Sequence, residues 1–161
     1  KPSEILGSLR KNIIESLHQT GKEFERGEGM DISLINWKTD ISQVHYAGAM
    51  NSLFVFKNNE LQEFKADRMP ISIHEKDEMP FTNHEIPVNK NDVLYMFSDG
   101  FIDQFGGKEN KRFLKSNFKK LLTEIHKLPM ENQKIHLENI FTDWKGAQPQ
   151  IDDVLVLGFS T

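Results

Sequence analysis

Hydrophobic and polar positions along the chain follow patterns that predict a mixed α+β protein. Apolar residues at three- and four-residue spacing predict helices over residues 1–20, 113–127 and 130–144. Shorter segments alternate with period two or run continuously apolar, which is typical of strands. Strands are expected at residues 30–37, 41–48, 53–56, 61–64, 81–86, 93–97 and 154–159. Their short connections indicate antiparallel pairing rather than strand–helix–strand units.

Each predicted helix has an apolar stripe that we expect to face the core. The stripes consist of Ile5, Leu6, Leu9, Ile13, Ile14 and Leu17 in the first helix, Leu114, Phe118, Leu121, Leu122 and Ile125 in the second, and Ile135, Leu137, Ile140, Phe141 and Trp144 in the third. A loop is predicted at residues 22–29 and a turn at residues 38–40. The pair Asn58-Asn59 predicts a two-residue hairpin turn, because asparagine tolerates positive φ.

Composition and charge narrow the classes of protein. A chain of 161 residues is long enough for one domain, residues 1–161, with a substantial core. The net charge of −4 argues against nucleic acid as the main partner, because phosphate binding needs a concentrated basic face. The absence of cysteine excludes disulfides, thiol nucleophiles and cysteine-ligated zinc. No apolar run reaches the length of a membrane span, and no signal peptide is visible.

The residue that most suggests chemistry is Asp99, which follows the strand predicted at residues 93–97 in the order Ser98-Asp99-Gly100. The end of a buried strand holds such a carboxylate rigidly, and the glycine lets backbone, water or substrate come close. Hard cations such as magnesium and manganese prefer carboxylate oxygens. The alternative is an Asp-Gly turn that only ends the strand.

A second acidic position precedes the last predicted strand. Asp152 and Asp153 are adjacent, and adjacent carboxylates repel unless a cation or hydrogen bonds compensate. With Asp99 they predict part of a metal site, and the alternative is a solvated turn. Asp103 faces the same way as Asp99 if the chain is helical there, either as a further ligand or as a loop cap. The direction of Asp31, at the first strand, is left open.

Other kinds of site find little support in the sequence. The six histidines form no tight ligand pair, and we expect His126 and His136 on helix surfaces, so no histidine-based zinc site is predicted. Ser98 lacks the glycine-flanked elbow of serine hydrolases. No glycine-rich loop with a phosphate-binding lysine and no dinucleotide fingerprint are present.

Several ordered segments carry a family resemblance. The string VLYMFSDGFIDQFGG at residues 93–107 resembles the metal-dependent serine/threonine protein phosphatases (protein phosphatase 2C-like), and among them the bacterial branch named for stage II sporulation protein E. The segments GMDISLI (29–35), YAGAMN (46–51), MPISI (69–73) and DDVLVLG (152–158) agree in the same order. Together they extend over nearly the whole chain.

The resemblance implies a fold, a reaction and ligands. The fold is an α-β-β-α sandwich of two antiparallel sheets flanked by helices. In that family two manganese or magnesium ions activate a water that attacks the phosphorus of phosphoserine or phosphothreonine. By position in the motifs, Asp99 and Asp152 resemble metal ligands, and Asp103 matches a position linked in some relatives to a third metal.

One element of the family pattern is not found. The Asp-Gly element that supplies the aspartate bridging both metals has no counterpart, and neither do the first strands of the domain. We therefore expect the C-terminal portion of a phosphatase domain, lacking its N-terminal strands and inactive or nearly so alone. An exposed sheet edge is expected to favour self-association. The alternatives are a non-catalytic interaction domain of the same fold and an unrelated α+β ligand-binding domain.

The resemblance also implies partners and a location. Relatives often act on phosphorylated anti-anti-sigma proteins in bacterial partner-switching signalling, so a phosphorylated protein substrate is expected in the cytoplasm. No contact of this segment with nucleic acid or membrane is expected. Whether a membrane-anchored sensor precedes it in the parent protein is left open.

Overall fold

The computed structural model describes residues 1–21, 29–37, 42–75 and 78–161. Its helices are α1 (Pro2–Ser16), α2 (Gly100–Asp103), α3 (Lys115–Ile125) and α4 (Met130–Lys145). Its strands are β1 (Ile32–Trp37), β2 (Gln43–Ala49), β3 (Leu53–Lys57), β4 (Glu60–Phe64), β5 (His84–Pro87), β6 (Val93–Phe97), β7 (Phe105–Gly106), β8 (Lys111–Arg112) and β9 (Val156–Ser160). The predicted turn at residues 38–40 and most of the predicted loop at 22–29 lie outside the described residues.

The strands form two antiparallel sheets and a short ribbon. One sheet has the order β1-β2-β5, the other has the order β4-β3-β6-β9, and β7 pairs with β8. In the larger sheet β6 pairs with β3 on one side and with the outer strand β9 on the other. Antiparallel pairing therefore places the end of β6 beside the start of β9, which matters for the site below.

Three apolar clusters separate four layers. The cluster between the two sheets contains Val44, Tyr46, Leu53, Val55, Ile86, Val88 and Leu94. The outer face of the larger sheet packs on α2, α3 and α4 through a cluster that includes Phe54, Tyr95, Phe101, Phe118 and Leu122. The outer face of the smaller sheet packs on α1 through a cluster that includes Leu6, Ala47, Ala49 and Ile71. The layers are thus α-β-β-α, and the predicted sandwich of antiparallel sheets is confirmed.

The continuous apolar runs of β3 and β6 have a simple cause. Leu53 and Val55 face the smaller sheet, whereas Phe54 and Phe56 face the helices, so both faces of the strand are buried. The predicted hairpin turn after β3 is confirmed, because Asn58 has a φ of 49° and Asn59 a φ of 67°.

The predicted apolar stripes are only partly right. Five of their members are exposed, namely Ile5, Leu17, Leu114, Ile135 and Ile140. α1 ends at Ser16 and contacts the smaller sheet through a narrower strip than predicted. Arg10 occupies a core-facing position there, with its guanidinium 4.6 Å from the centroid of the Phe81 ring. Leu114 precedes α3 with a φ of 74°, so it cannot belong to the helix.

Two elements were not predicted, and several strands start later than expected. α2 and the ribbon β7–β8 are too short to give a periodic signal. β5 begins at His84 rather than at residue 81, and β9 begins at Val156 rather than at residue 154. The residues before β9 instead bond to the chain beyond β6, which brings the candidate site together.

Candidate metal centre

The end of β6 and the segment before β9 are joined by hydrogen bonds. The Ser98 amide donates to the Leu155 carbonyl at 3.0 Å, and the Leu155 amide donates to Ser98 Oγ at 3.0 Å. Ser98 Oγ in turn donates to the carbonyl of Asp153 at 2.8 Å. Because these bonds tie the two segments side by side, the structure brings the neighbourhoods of Asp99 and Asp152 together.

Gly100 allows this close approach. A Cβ at this position would collide with the carbonyl oxygen of Asp153 and lie 3.3 Å from Val154 Cγ2. The prediction that the glycine admits a close neighbour is therefore confirmed, and the neighbour is the backbone of Asp153. The glycine serves to seat the segment that contains Asp152 against the end of β6.

Asp99 is half-buried and stands just before α2, at its N-cap position. Its side chain makes no capping hydrogen bond to the helix. The pKa of Asp99 is raised by partial burial first, then by the negative charges of Asp152 and Asp103. The carboxylate is thus not used as a helix cap, which weakens the alternative that it only ends a strand.

Asp31 lies just before β1 and belongs to the same acidic neighbourhood. Although the residue is exposed, its pKa is raised by partial desolvation and then by the charges of Asp99 and Asp152. The register of β1 with β2 pairs Ile32 with Ala49, which sets the start of β1 at this end of the sandwich. Asp31 therefore lies within electrostatic range of the two predicted aspartates.

Asp103 lies one turn beyond Asp99. Its amide donates to the Asp99 carbonyl at 2.9 Å, so the predicted helical turn after Gly100 is confirmed. Its Oδ1 lies 3.3 Å from Arg112 Nη1, in an ion pair whose two side chains are partly exposed. Asp103 therefore adds negative charge near Asp99, while its own carboxylate is paired with the Arg112 guanidinium.

The donor set fits a hard divalent cation in chemistry. Asp31, Asp99 and Asp152 offer carboxylate oxygens, and their mutual repulsion is what a bound cation would relieve. Within the described ranges, however, no group of three or more His, Cys, Asp or Glu side chains is arranged to hold a metal ion. These three residues and Asp103, here called the acidic end, influence one another electrostatically but do not form a closed coordination shell.

Two histidines, His126 and His136, were expected on helix surfaces. His126 is buried rather than on a helix surface as predicted, since its ring stacks on Phe56 at 4.2 Å between centroids. His136 is exposed on α4, as predicted. The expectation for His126 was wrong because the residue follows the last turn of α3, where the chain folds back onto the sheet.

Two residues near the site were not recognised in the sequence. Ser98 was considered only as a nucleophile, whereas its hydroxyl is engaged by both Asp153 and Leu155. Gln104 is fully buried behind α2, and a glutamine gives no sequence signal of burial. For Ser98, its place between a buried strand and an Asp-Gly pair was the available signal.

Comparison with known proteins identifies the family. The family model described as stage II sporulation protein E (SpoIIE) matches residues 1–161, and the chain belongs to this family. No curated protein sequence matches the chain significantly. In the part of the chain that the structure describes, no helix has the length and apolar character needed to cross a membrane.

Solved structures with the same fold are PP2C-type phosphatase domains. The SiaA-PP2C domain of Pseudomonas aeruginosa superposes with a TM-score of 0.86 at 27% identity, over 99% of this chain and 61% of that chain. The manganese-soaked phosphatase domain of SpoIIE from Bacillus subtilis has a TM-score of 0.58 at 16% identity, over 98% and 70%. The catalytic domain of the serine/threonine phosphatase PstP, in complex with two manganese ions, has a TM-score of 0.56 at 11% identity, over 95% and 64%. This chain thus spans less than two thirds of the SiaA domain.

Proposed function

Starting from membership of the stage II sporulation protein E family, we propose that the chain forms the C-terminal portion of a metal-dependent serine/threonine protein phosphatase domain. The reaction is hydrolysis of phosphoserine or phosphothreonine. The observation that carries the proposal is the meeting of Asp99 and Asp152 where the segments after β6 and before β9 are joined by Ser98. Family membership favours this function over an unrelated α+β ligand-binding domain.

Each residue at the acidic end has a role in this proposal. Asp99 and Asp152 would hold Mn²⁺ or Mg²⁺, with Asp31 at the margin of the same site and Asp103 as a further ligand. A bound divalent ion supplies a water that is nucleophilic at neutral pH. Ser98 keeps the two ligand segments in register, because its hydroxyl is occupied on both sides.

We further propose that this chain alone binds metal weakly and turns over little substrate. Stable binding of divalent cations requires more protein oxygens in fixed geometry than Asp31, Asp99 and Asp152 provide. The intact centre of two ions would then take additional carboxylates from the part of the domain that corresponds to the remainder of the SiaA domain, which has no counterpart in this chain.

A metal titration combined with a turnover assay tests both proposals. Mn²⁺ is titrated into the chain by calorimetry, and hydrolysis of p-nitrophenyl phosphate and of a phosphoserine peptide is followed at saturating Mn²⁺. We expect weak Mn²⁺ binding that Asp99→Asn abolishes, and little turnover. Robust turnover would overturn the incomplete-site proposal, and absence of Mn²⁺ binding would overturn the metal centre.

A second candidate function is a non-catalytic interaction domain of the same fold. The absence of a closed ligand group among the described residues favours it. In either case the proposed partner is a phosphorylated protein of the anti-anti-sigma class, which the chain would bind in the cytoplasm. Phosphopeptide binding that persists in EDTA and in Asp99→Asn would select this function, whereas binding that depends on Mn²⁺ selects the phosphatase.

A further inference from the structure

Gln104 is a buried polar residue beside the acidic end whose position suggests a role. Its side chain is fully buried, and it directly follows Asp103 at the end of α2. Burial of a side-chain amide is unfavourable unless its polar atoms are hydrogen-bonded. The Oε1 of Gln104 has no hydrogen-bond partner among the described residues, so the contacts of its Nε2 and of its backbone carbonyl indicate what the residue does.

The contacts of Gln104 connect three segments. Its Nε2 donates to the carbonyl of Phe105 at 3.0 Å and to the carbonyl of Pro149 at 2.9 Å. Its backbone carbonyl accepts from Trp144 Nε1 at 3.0 Å and from the Phe113 amide at 3.0 Å. The residue thus ties the end of α2 to the end of α4 and to the segment that leads to Asp152.

The surroundings of Gln104 form a close-packed support. A Cβ on Gly106 would collide with the backbone of Trp144, and a Cβ on Gly107 would lie 2.9 Å from the Trp144 ring. The Gly107 amide also donates to the Trp144 carbonyl at 2.8 Å. The string Gln-Phe-Gly-Gly is therefore explained by the seating of the β7–β8 ribbon on the last turn of α4, with Gln104 fixed at its base.

The segment of residues 149–155, here called the ligand loop, is held at both ends. Gln104 holds its first residue through the Pro149 carbonyl, and Ser98 holds its last residues through Asp153 and Leu155. Asp152 lies between these two anchors, where its Oδ1 accepts from the Asp153 amide at 2.7 Å. The placement of Asp152 relative to Asp99 thus depends on both anchors.

We propose that Gln104 is a positioning residue for the metal centre, acting through the Pro149 carbonyl on the ligand loop and hence on Asp152. The inference rests on the proposed function, because it assigns Gln104 to the same site. Residues that hold metal ligands in place without touching the metal change metal affinity by about 10- to 100-fold when they are replaced. A residue that only fills the core would change stability and leave the affinity unaltered.

The test compares two buried glutamines. Gln104→Met keeps the shape of the side chain and removes its donors, and Gln133→Met is the matched control. Gln133 is 2% exposed, and its side-chain hydrogen bonds are made with Tyr95, His126 and Leu128 rather than with the ligand loop. Mn²⁺ affinity is measured by calorimetry, and amide hydrogen exchange of the ligand loop is measured in EDTA.

We expect Gln104→Met to weaken Mn²⁺ binding about tenfold or more and to speed exchange of the Asp153 and Leu155 amides. Gln133→Met should lose comparable stability with unchanged Mn²⁺ affinity and unchanged exchange in the ligand loop. If Gln104→Met does not fold, Gln104→Asn, whose amide is one methylene too short to reach Pro149, takes its place with the same expected results.

The outcomes separate the two proposals. Equal Mn²⁺ affinities of the unmodified chain and the Gln104 variant overturn the role of Gln104 and leave the metal centre intact. Weakened affinity in the Gln133 variant to the same extent also overturns it, because the effect would then follow general stability. Failure of the unmodified chain to bind Mn²⁺ overturns the proposed function itself.

Discussion

The two ends of β6 carry aspartates in opposite situations. Asp92, just before the strand, is buried, and its Oδ2 accepts from the Asn89 amide at 2.9 Å. Asp99, just after the strand, is half-buried and does not cap the helix that follows, and neighbouring negative charges help to raise its pKa. One carboxylate completes a turn, whereas the other faces charges of its own sign.

The surroundings of the two ends explain this difference. The groove around Asp92 has a volume of about 510 Å³, and besides apolar side chains it is lined by four asparagines and by Lys90 and Lys127, so the other charged side chains there are cations. Around Asp99 the neighbouring charges that raise its pKa are carboxylates, those of Asp152 and Asp103. Perturbed acids that gather at one place indicate a functional site more often than a structural one. The comparison therefore teaches that the carboxylate before β6 is hydrogen-bonded within a turn, whereas the carboxylate after β6 lies among charges of its own sign.

Replacing the two aspartates separately should give the largest contrast. Asp99→Asn removes a proposed ligand, so we expect loss of Mn²⁺ binding by more than the 10- to 100-fold that outer positions cost. The same change should raise the melting temperature of the metal-free chain at pH 7, because it removes repulsion from Asp152. Calorimetric titration with Mn²⁺ and thermal unfolding in EDTA measure the two effects.

Asp92→Asn is the control at the other end of the strand. It weakens a buried hydrogen bond, so we expect a loss of about 1 kcal/mol of stability and unchanged Mn²⁺ affinity. A destabilised, metal-binding Asp99→Asn variant would show that the two ends do not differ as argued.

The close approach at the acidic end can be disturbed without changing any charge. Gly100→Ala places a methyl group against the Asp153 carbonyl, so we expect a loss of about 1–3 kcal/mol in urea unfolding and weaker Mn²⁺ binding. Gly7→Ala is the matched control on α1, where nothing lies within 4 Å of the added carbon. It should stabilise the chain by about 0.5–1 kcal/mol. Equal effects of the two changes would remove Gly100 from the account of the site.

Much of the fold was predictable because it depends on local pattern. β3 and β6 are buried on both faces, so their continuous apolar runs located them within a residue. The stripes of the helices were less reliable, since a helix that covers a sheet buries only part of its apolar surface. Ile5 and Leu17 were predicted inward and are exposed, while Arg10, a charged residue, takes an inward position.

The candidate site was predictable only where a carboxylate lies next to the end of a predicted strand. Asp99 and Asp152 could be paired through the family resemblance, and the structure brings their segments together. Asp31 could not be assigned, because its direction depends on the pairing of β1 with β2. The role of Gln104 could not be predicted for a different reason, because its burial depends on tertiary contacts with Pro149 and Trp144.

A paired carboxylate offers a third way to sharpen the comparison. Burial would raise the pKa of Glu63, but hydrogen bonds from Lys115 and Lys119 at 2.5 Å and 2.6 Å lower it to about 2. This contribution to stability is fully present above the unfolded pKa of about 4.3 and is lost as the pH falls toward about 2. Glu63→Gln should therefore cost about 2 kcal/mol at pH 7, in urea unfolding.

The pH dependence of that cost is the decisive measurement. The difference in unfolding free energy between the unmodified chain and Glu63→Gln should shrink steadily below about pH 4.3. The control is Glu63→Gln introduced into a Lys115→Met background. There the change should cost less unfolding free energy, because one of the two lysines that pair with Glu63 is already absent. A difference that is constant from pH 7 to pH 3 would contradict the assigned ion pairs.

The smallest expected effect concerns the edge of the larger sheet. β9 is an outer strand, and Leu155 and Leu157 are 65% and 50% exposed beside a groove of about 470 Å³ that α4 lines on its other side. An outer strand with exposed apolar residues favours pairing with another chain. We therefore expect weak self-association, which Leu157→Lys should reduce about fivefold in sedimentation velocity over a concentration series. Leu17→Lys replaces a leucine of similar exposure, 52%, outside the strands and should leave association unchanged. An equal reduction by both changes would point to general surface polarity rather than to the edge of β9.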